Sequence, residues 1–259
     1  MRLAACLEYD GSRFCGWQRQ GDTPTVQGFV ERALSQVADR SVRVVCAGRT
    51  DAGVHACAQT VHFDTQSERD EYSWVRGTNT LLPDGIAVLW VVPVSVEFHA
   101  RFSATGRSYR YVIHNRPVRP TYLHRRVGWA YRPLDEQRMR VAAAELIGRH
   151  DFNAFRASAC QARTSVRDLR RLEISRHGQW VCIDAEADAF LHHMVRNIVG
   201  VLLAVGSGEA EPSWAGEVLR SRDRTQAGVT APPDGLYLSR VFYPEQFQLP
   251  APPPICRFW

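Results

Sequence analysis

The chain has 259 residues, 45% hydrophobic and 23% charged, with a formal net charge of +5. These are ordinary globular values, sufficient for one large core or two small ones. All 32 basic residues are arginine, so Schiff-base lysine chemistry and an ordinary Walker-A phosphate loop are excluded.

In chain order, Leu3, Ala5, Leu7 and Tyr9 alternate as a strand. This N-terminus lacks the apolar stretch and cleavage site of a signal peptide, and the most apolar run, "MVRNIVGVLLAVG", is short and carries Arg196. A cytoplasmic chain without a membrane span is therefore expected. A helix should begin at Thr23–Pro24, with proline at its first position and Val26, Phe29, Val30, Ala33, Leu34 and Val37 on one face. Strands near residues 42–47 and 60–64, a helix near 72–82 and a strand near 86–92 complete a β-α-β-β-α-β order.

The second half repeats that order. A strand near residues 107–114 places Arg107, Tyr109, Tyr111 and Ile113 on one face. Asp135 can cap a helix containing Met139, Ala142, Ala143, Leu146 and Ile147. Two strands flank the turn "RHGQ", and Leu191, Met194, Val195, Ile198, Leu202 and Val205 mark a helix ended by Gly206. A short helix near residues 212–220 and a last strand over 236–242 follow. The expected fold is α+β: two ferredoxin-like, RRM-like halves with a mostly antiparallel sheet and a central cleft suited to an extended ligand. The expected divisions are 1–100, 101–245 and a proline-rich tail over 246–259.

The seven cysteines form no C-x-x-C pair and read as reduced, packed thiols. Cys57, His62 and His55 match no common zinc spacing, so no metal is expected. Residues 101–134 hold eight arginines and no acidic residue, with Tyr109, Tyr111, Tyr122, Trp129 and Tyr131 among them. Guanidinium forks bind phosphate and aromatic faces stack on bases, so a polyanionic partner is favoured over a merely solvated basic face.

Three residues stand out as candidates for chemistry. Asp51, in "GRTDAG", is either a turn aspartate bonded to its own backbone or a positioned carboxylate kept ionised by Arg49. Tyr109 is a core tyrosine, or it stacks on a base, or its phenol assists proton transfer. Arg196 shares a helical face with His192, and is either a surface arginine or a partner for a phosphate or for Asp51.

The stretches "CAGRTDAGVHACAQTVHF", "FHARFSATGRSYRYVIHN", "FLHHMVRNIVGVLLAVG" and "DGLYLSRVFY", preceded by "EYDGSRFCGWQRQ", resemble successive hallmarks of the tRNA pseudouridine synthase A family. The resemblance runs from about Leu3 to Phe247, and several long motifs in one order are more specific than any single pattern. It implies isomerisation of uridine to pseudouridine in the tRNA anticodon arm, at positions 38, 39 and 40, without cofactor or metal, by a homodimer. By motif it implies that Asp51 is the catalytic aspartate, Tyr109 the active-site tyrosine and Arg196 the arginine that holds Asp51 ionised. Arg49 and Leu236 match the loop arginine and the pocket leucine, and Arg107 and Arg110 are assigned to substrate binding. Two other classes compete: a non-catalytic RRM-like RNA-binding protein, and a metal-dependent ribonuclease using Asp51 with Asp10 or Asp64. "GRSYRYVI" only half fits an RNP1 octamer, and no carboxylates cluster at metal-binding spacing.

Overall fold

A computed structural model describes residues Met1–Trp259. In chain order it contains β1 (Arg2–Tyr9), α1 (Val26–Ala38), β2 (Val45–Cys46), β3 (His55–Asp64), α2 (Glu71–Leu81) and β4 (Ile86–Val94). These are followed by β5 (Gly106–Asn115), β6 (Gly128–Ala130), α3 (Glu136–Ala144), β7 (Gly148–Asp151), β8 (Val166–His177) and β9 (Trp180–Ala187). Helices α4 (Met194–Gly206) and α5 (Trp214–Ser221) and strand β10 (Leu236–Phe242) complete the chain. Two compact units result: Met1–Thr105 with Tyr237–Cys256, and Gly106–Leu236 with Arg257–Trp259. The strands are mostly antiparallel, and no helix is long and apolar enough to cross a membrane.

The first unit realises the expected β-α-β-β-α-β order. Strand β1 lies between β4 and β3, antiparallel to both, while Tyr237 and Leu238 of β10 run parallel to His55 and Ala56 of β3. Helix α1 buries Val26, Val30, Ala33, Leu34 and Ala38, as its apolar spacing dictates. It begins two residues later than the proline position suggests. Thr25 is the cap, and the Pro24 carbonyl accepts the Cys15 amide at 2.8 Å. Strand β2 is also shorter than its apolar run. Side chains of α1 take its donors: Ser35 Oγ accepts the Val42 amide at 2.9 Å, and the Glu31 carboxylate accepts the Val44 amide at 3.1 Å.

In the second unit the strands run β5-β9-β8-β7, with β6 parallel to the end of β5. Asp135 caps α3 as expected, accepting the amides of Gln137 and Arg138. The helix stops at Ala144, however, and the positive φ of Gly148 turns the chain into β7, an edge strand with no clear alternation of its own. Helix α4 starts only at Met194, because His193 adopts a left-handed φ of 61° at its cap. Its buried Ile198, Val201, Leu202 and Val205 join Met139, Ala142 and Ala143 of α3 in the core. The end of the tail packs on this unit: Trp259 stacks on His177 at 4.7 Å, and Phe258 lies 5.9 Å from Trp180.

Candidate active site

The "GRTDAG" loop follows β2 and ends in a turn closed by the Val54 amide donating to the Asp51 carbonyl at 3.1 Å. Gly53 takes φ 82°, which the third position of a type II turn requires. Three contacts pin the entry to this turn. Gln59 Nε2 donates to the Gly48 carbonyl at 2.6 Å, the Tyr9 hydroxyl lies 2.8 Å from Thr50 Oγ1 in the core, and the Trp17 amide donates to the Thr50 carbonyl at 3.0 Å. Asp51 is half-buried at the rim of that rigid base.

The wall behind the loop is the N-terminal motif "DGSRFCGW". A Cβ placed on Gly11 would sit 2.0 Å from the Val54 carbonyl oxygen, so only glycine fits there. The Gly11 amide donates to His55 Nδ1 at 3.0 Å. Asp10 Oδ1 lies 3.3 Å from the same nitrogen. The His55 ring stacks on Tyr237 at 4.5 Å. None of this buttress was assigned from the sequence, because its residues are distant in the chain: 44 positions separate Gly11 from His55, and Tyr237 is farther still.

Arg49 is exposed and forms no ion pair with Asp51, contrary to the pairing expected from their spacing. Its neighbour Thr50 is buried against Tyr9, and Arg49 itself is turned to solvent. Its charge acts on Cys46 instead. Burial pushes that thiol up to about 12, with the guanidinium groups of Arg49 and Arg101 pulling the other way.

In the second unit, Tyr109 and Tyr111 of β5 separate into two roles. Tyr111 is buried, donates its hydroxyl to the Pro232 carbonyl at 2.9 Å, and has its pKa raised by burial. Tyr109 is half-buried and meets Phe190 edge-on, with centroids 5.2 Å apart and planes at 87°. The core tyrosine is therefore Tyr111, and Tyr109 is only partly covered.

Arg196 lies in the first turn of α4 and is half-buried, which rules out a simple surface arginine. Its Nε donates to the Ala231 carbonyl at 2.8 Å, and its own carbonyl accepts the Ala231 amide at 3.1 Å. His192 precedes the helix, so the expected shared helical face of His192 and Arg196 does not exist. The segment that Arg196 grips leads to buried Leu236 at the start of β10. A network missed from sequence fixes the same segment. Arg224 Nη2 donates to Asn197 Oδ1 at 3.1 Å and Thr230 Oγ1 at 2.8 Å, while Asn197 Nδ2 donates to the Phe155 carbonyl at 2.7 Å.

The assigned substrate arginines of β5 differ in their commitments. Arg110 makes a two-pronged pair with Asp184 on β9, at 2.7 and 2.8 Å. Arg107 Nη1 donates to the Asp188 carbonyl at 3.1 Å. Beyond β5, Arg119, Arg125, Arg126 and Arg132 are exposed beside exposed Tyr122, Trp129 and Tyr131. Arg132 lies over the Tyr131 ring and is paired with Glu209.

Comparison with known proteins agrees with these motifs. A family model described as tRNA pseudouridine synthase matches residues 5–103 and 142–244. The tRNA pseudouridine synthase A of Nitrosococcus oceani is 57% identical over 250 residues, 96% of either chain. That of Methylococcus capsulatus is 56% identical over 249 residues, covering 96% of this chain and 92% of its own, and that of Coxiella burnetii is 54% identical over 252 residues, 97% of either chain. Both parts of the family match, one holding the Asp51 loop and the other the Arg196 helix, and the chain belongs to the tRNA pseudouridine synthase family.

Proposed function

We propose that this isomerase converts uridine to pseudouridine in the anticodon stem-loop of tRNA, at positions 38, 39 and 40, with Asp51 as the catalytic aspartate. The observation that carries the reading is the "GRTDAG" turn: a half-buried carboxylate at the rim of a loop fixed by backbone and buried hydroxyl contacts. Such preorganisation holds a reacting group in place without a reorganisation cost during the reaction.

The reaction cleaves the N1–C1′ bond of uridine, turns the uracil and joins it through C5. C5 loses a proton and N1 gains one, so no electrons enter or leave and the reaction needs no redox partner. Asp51 either attacks the nucleotide or takes up the C2′ proton during this exchange. Tyr109 stacks on the uracil and assists removal of the C5 proton. Arg196 supplies the positive charge that keeps Asp51 ionised, and Leu236 gives the base an apolar contact. Arg49 contacts the flipped nucleotide's phosphate or helps displace its base, Arg107 meets RNA phosphate, and Arg110, tied to Asp184, adds positive charge toward the RNA. Extrusion of the base costs a few kcal/mol, offset by these phosphate and stacking contacts. The working form is a cytoplasmic homodimer.

The test is incubation with an unmodified tRNA transcript, in EDTA and in parallel with magnesium, followed by mapping of carbodiimide-reactive sites. Pseudouridine at positions 38–40 in intact RNA is expected. Its absence with enzyme in excess over tRNA would overturn the assignment, and chelator-sensitive strand cleavage would favour the nuclease. Sedimentation of the purified chain checks the dimer.

A further inference from the structure

The loop after β4, "FHARFSATG", carries an arrangement of rings that the catalytic reading leaves unused. His62 on β3 is buried and accepts the Ala100 amide on Nδ1 at 3.1 Å. His99 lies against it, with ring centroids 4.7 Å apart. Phe102 stacks on His99 at 4.3 Å with planes 26° apart, yet remains 76% exposed. The Arg101 guanidinium stands 5.5 Å from the Phe102 centroid.

This column is rigid from its base. His99 Nδ1 accepts the amides of both Arg101 at 3.2 Å and Phe102 at 3.1 Å, so the loop curls around a fixed imidazole. The same bonds hold Nδ1 as an acceptor and the ring neutral. Below it, His62 meets Phe98 edge-on, and Phe98 packs among Tyr243 and Phe247. An isolated exposed phenylalanine needs no explanation. One held on an imidazole by two backbone bonds, beside a guanidinium, in a stretch free of acidic residues over 101–134, has the make-up of a base-stacking platform. It also lies on the loop's side of the unit: Val45 of β2 pairs with His62, and the "GRTDAG" turn begins two residues after β2 ends.

We propose that Phe102 is a stacking site for an unpaired nucleobase of the tRNA close to the reacting uridine, with Arg101 taking the phosphate of that nucleotide. The site rests on the tRNA reading above and adds to it a contact outside the catalytic set. An apolar contact with a protein surface would use Phe102 for its area alone. A base uses the planar face, and the two differ in what can replace phenylalanine.

Phe102→Ala, Phe102→Leu and Phe102→Trp are compared with the wild type in filter binding to an unmodified tRNA transcript and to a fully paired RNA duplex, alongside sedimentation. Alanine and leucine should each weaken tRNA binding by about ten-fold, the range of one lost base–aromatic stack. Tryptophan should stay within about three-fold of wild type, and all four proteins should bind duplex equally and sediment alike. Wild-type affinity in the alanine or leucine variant would overturn the stacking site. A changed sedimentation coefficient would also overturn it, by assigning Phe102 to contact between copies of the chain. Because these readouts are binding and mass, they stand apart from the pseudouridine assay: a wild type that forms no pseudouridine sinks the catalytic reading, whereas tight Phe102→Ala binding by an active enzyme sinks only this one.

Discussion

In the first unit the segment bearing Asp51 is a short turn pressed against Gly11 and held by a tyrosine hydroxyl, a glutamine amide and backbone bonds. In the second, the segment leading to Leu236 lies along α4, where the Arg196 and Arg224 guanidinium groups hold its carbonyls and Thr230. Both segments also touch a glycine with no space for a side chain, Gly11 in one and Gly200 in the other. The difference lies in the donors. Neutral contacts fix the short backbone turn that bears Asp51, whereas guanidinium groups hold a longer segment at several points, each charge-assisted. Substitutions in the first unit should therefore act on chemistry nearly all-or-none, and those in the second should give graded effects.

The sharpest test of that contrast is Asp51→Asn. The amide keeps the shape of the carboxylate and removes its charge. Single-turnover pseudouridine formation should fall by about a thousand-fold or more, with tRNA affinity within about three-fold of wild type. Appreciable turnover would move the catalytic role to another residue. Next come the two glycines. A Cβ on Gly11 would lie 2.0 Å from the Val54 carbonyl oxygen, and one on Gly200 would lie 1.9 Å from that of Val229. Each alanine variant should lose roughly 3 kcal/mol or more in urea unfolding. If Gly200→Ala is tolerated while Gly11→Ala is not, the second unit's segment yields and the first unit's turn does not.

How much of this was legible in the sequence follows the range of each interaction. Local patterns placed β1, α2 and β10 and the Asp135 cap, because alternation, helical spacing and a capping carboxylate act within a few residues. Element ends were displaced where a distant group intervened, as with Glu31 and Ser35 drawing Val44 and Val42 out of the β2 ladder. Strands β6 and β7 carry too few residues to show a period. In the site, the glycines marked the Asp51 turn, but no local signal announces that Gly11 is its wall. Arg196 read as a choice between surface residue and ionic partner. Its bond to the Ala231 carbonyl belongs to neither, since a carbonyl has no sequence identity.

Acid should separate the units more gently. His62 in the first unit is held down to about 4 from its ordinary 6.5, first by burial and then by His99 and Arg2. His114 in the second is lowered by burial too, but its bond to Gln179 opposes the shift. A histidine depressed in the fold takes up its proton first in the unfolded chain. Stability is therefore fully present above pH 6.5 and is lost as pH falls toward 4. For His62 the loss should be about 2 kcal/mol. His62→Gln, which keeps an acceptor for the Ala100 amide, should flatten urea-unfolding stability between pH 6.5 and 4.5 more than His114→Gln does. Equal flattening would remove the distinction between the two histidines.

The smallest effect concerns two exposed arginines, one in each unit. Arg49 flanks the Asp51 turn, and Arg119 sits in the loop between β5 and β6. If both meet tRNA phosphates, each change to glutamine should reduce the slope of log K against log salt by about one and weaken binding only a few-fold at moderate salt. They should part in the rate. With enzyme saturating, Arg119→Gln should form pseudouridine at the wild-type rate, since a remote phosphate contact stabilises ground state and transition state alike. If the Arg49 charge borders the reacting nucleotide and helps position it, Arg49→Gln should be slower. Equal rates for the two variants would make Arg49 another docking charge and leave Asp51 without a loop arginine in its chemistry.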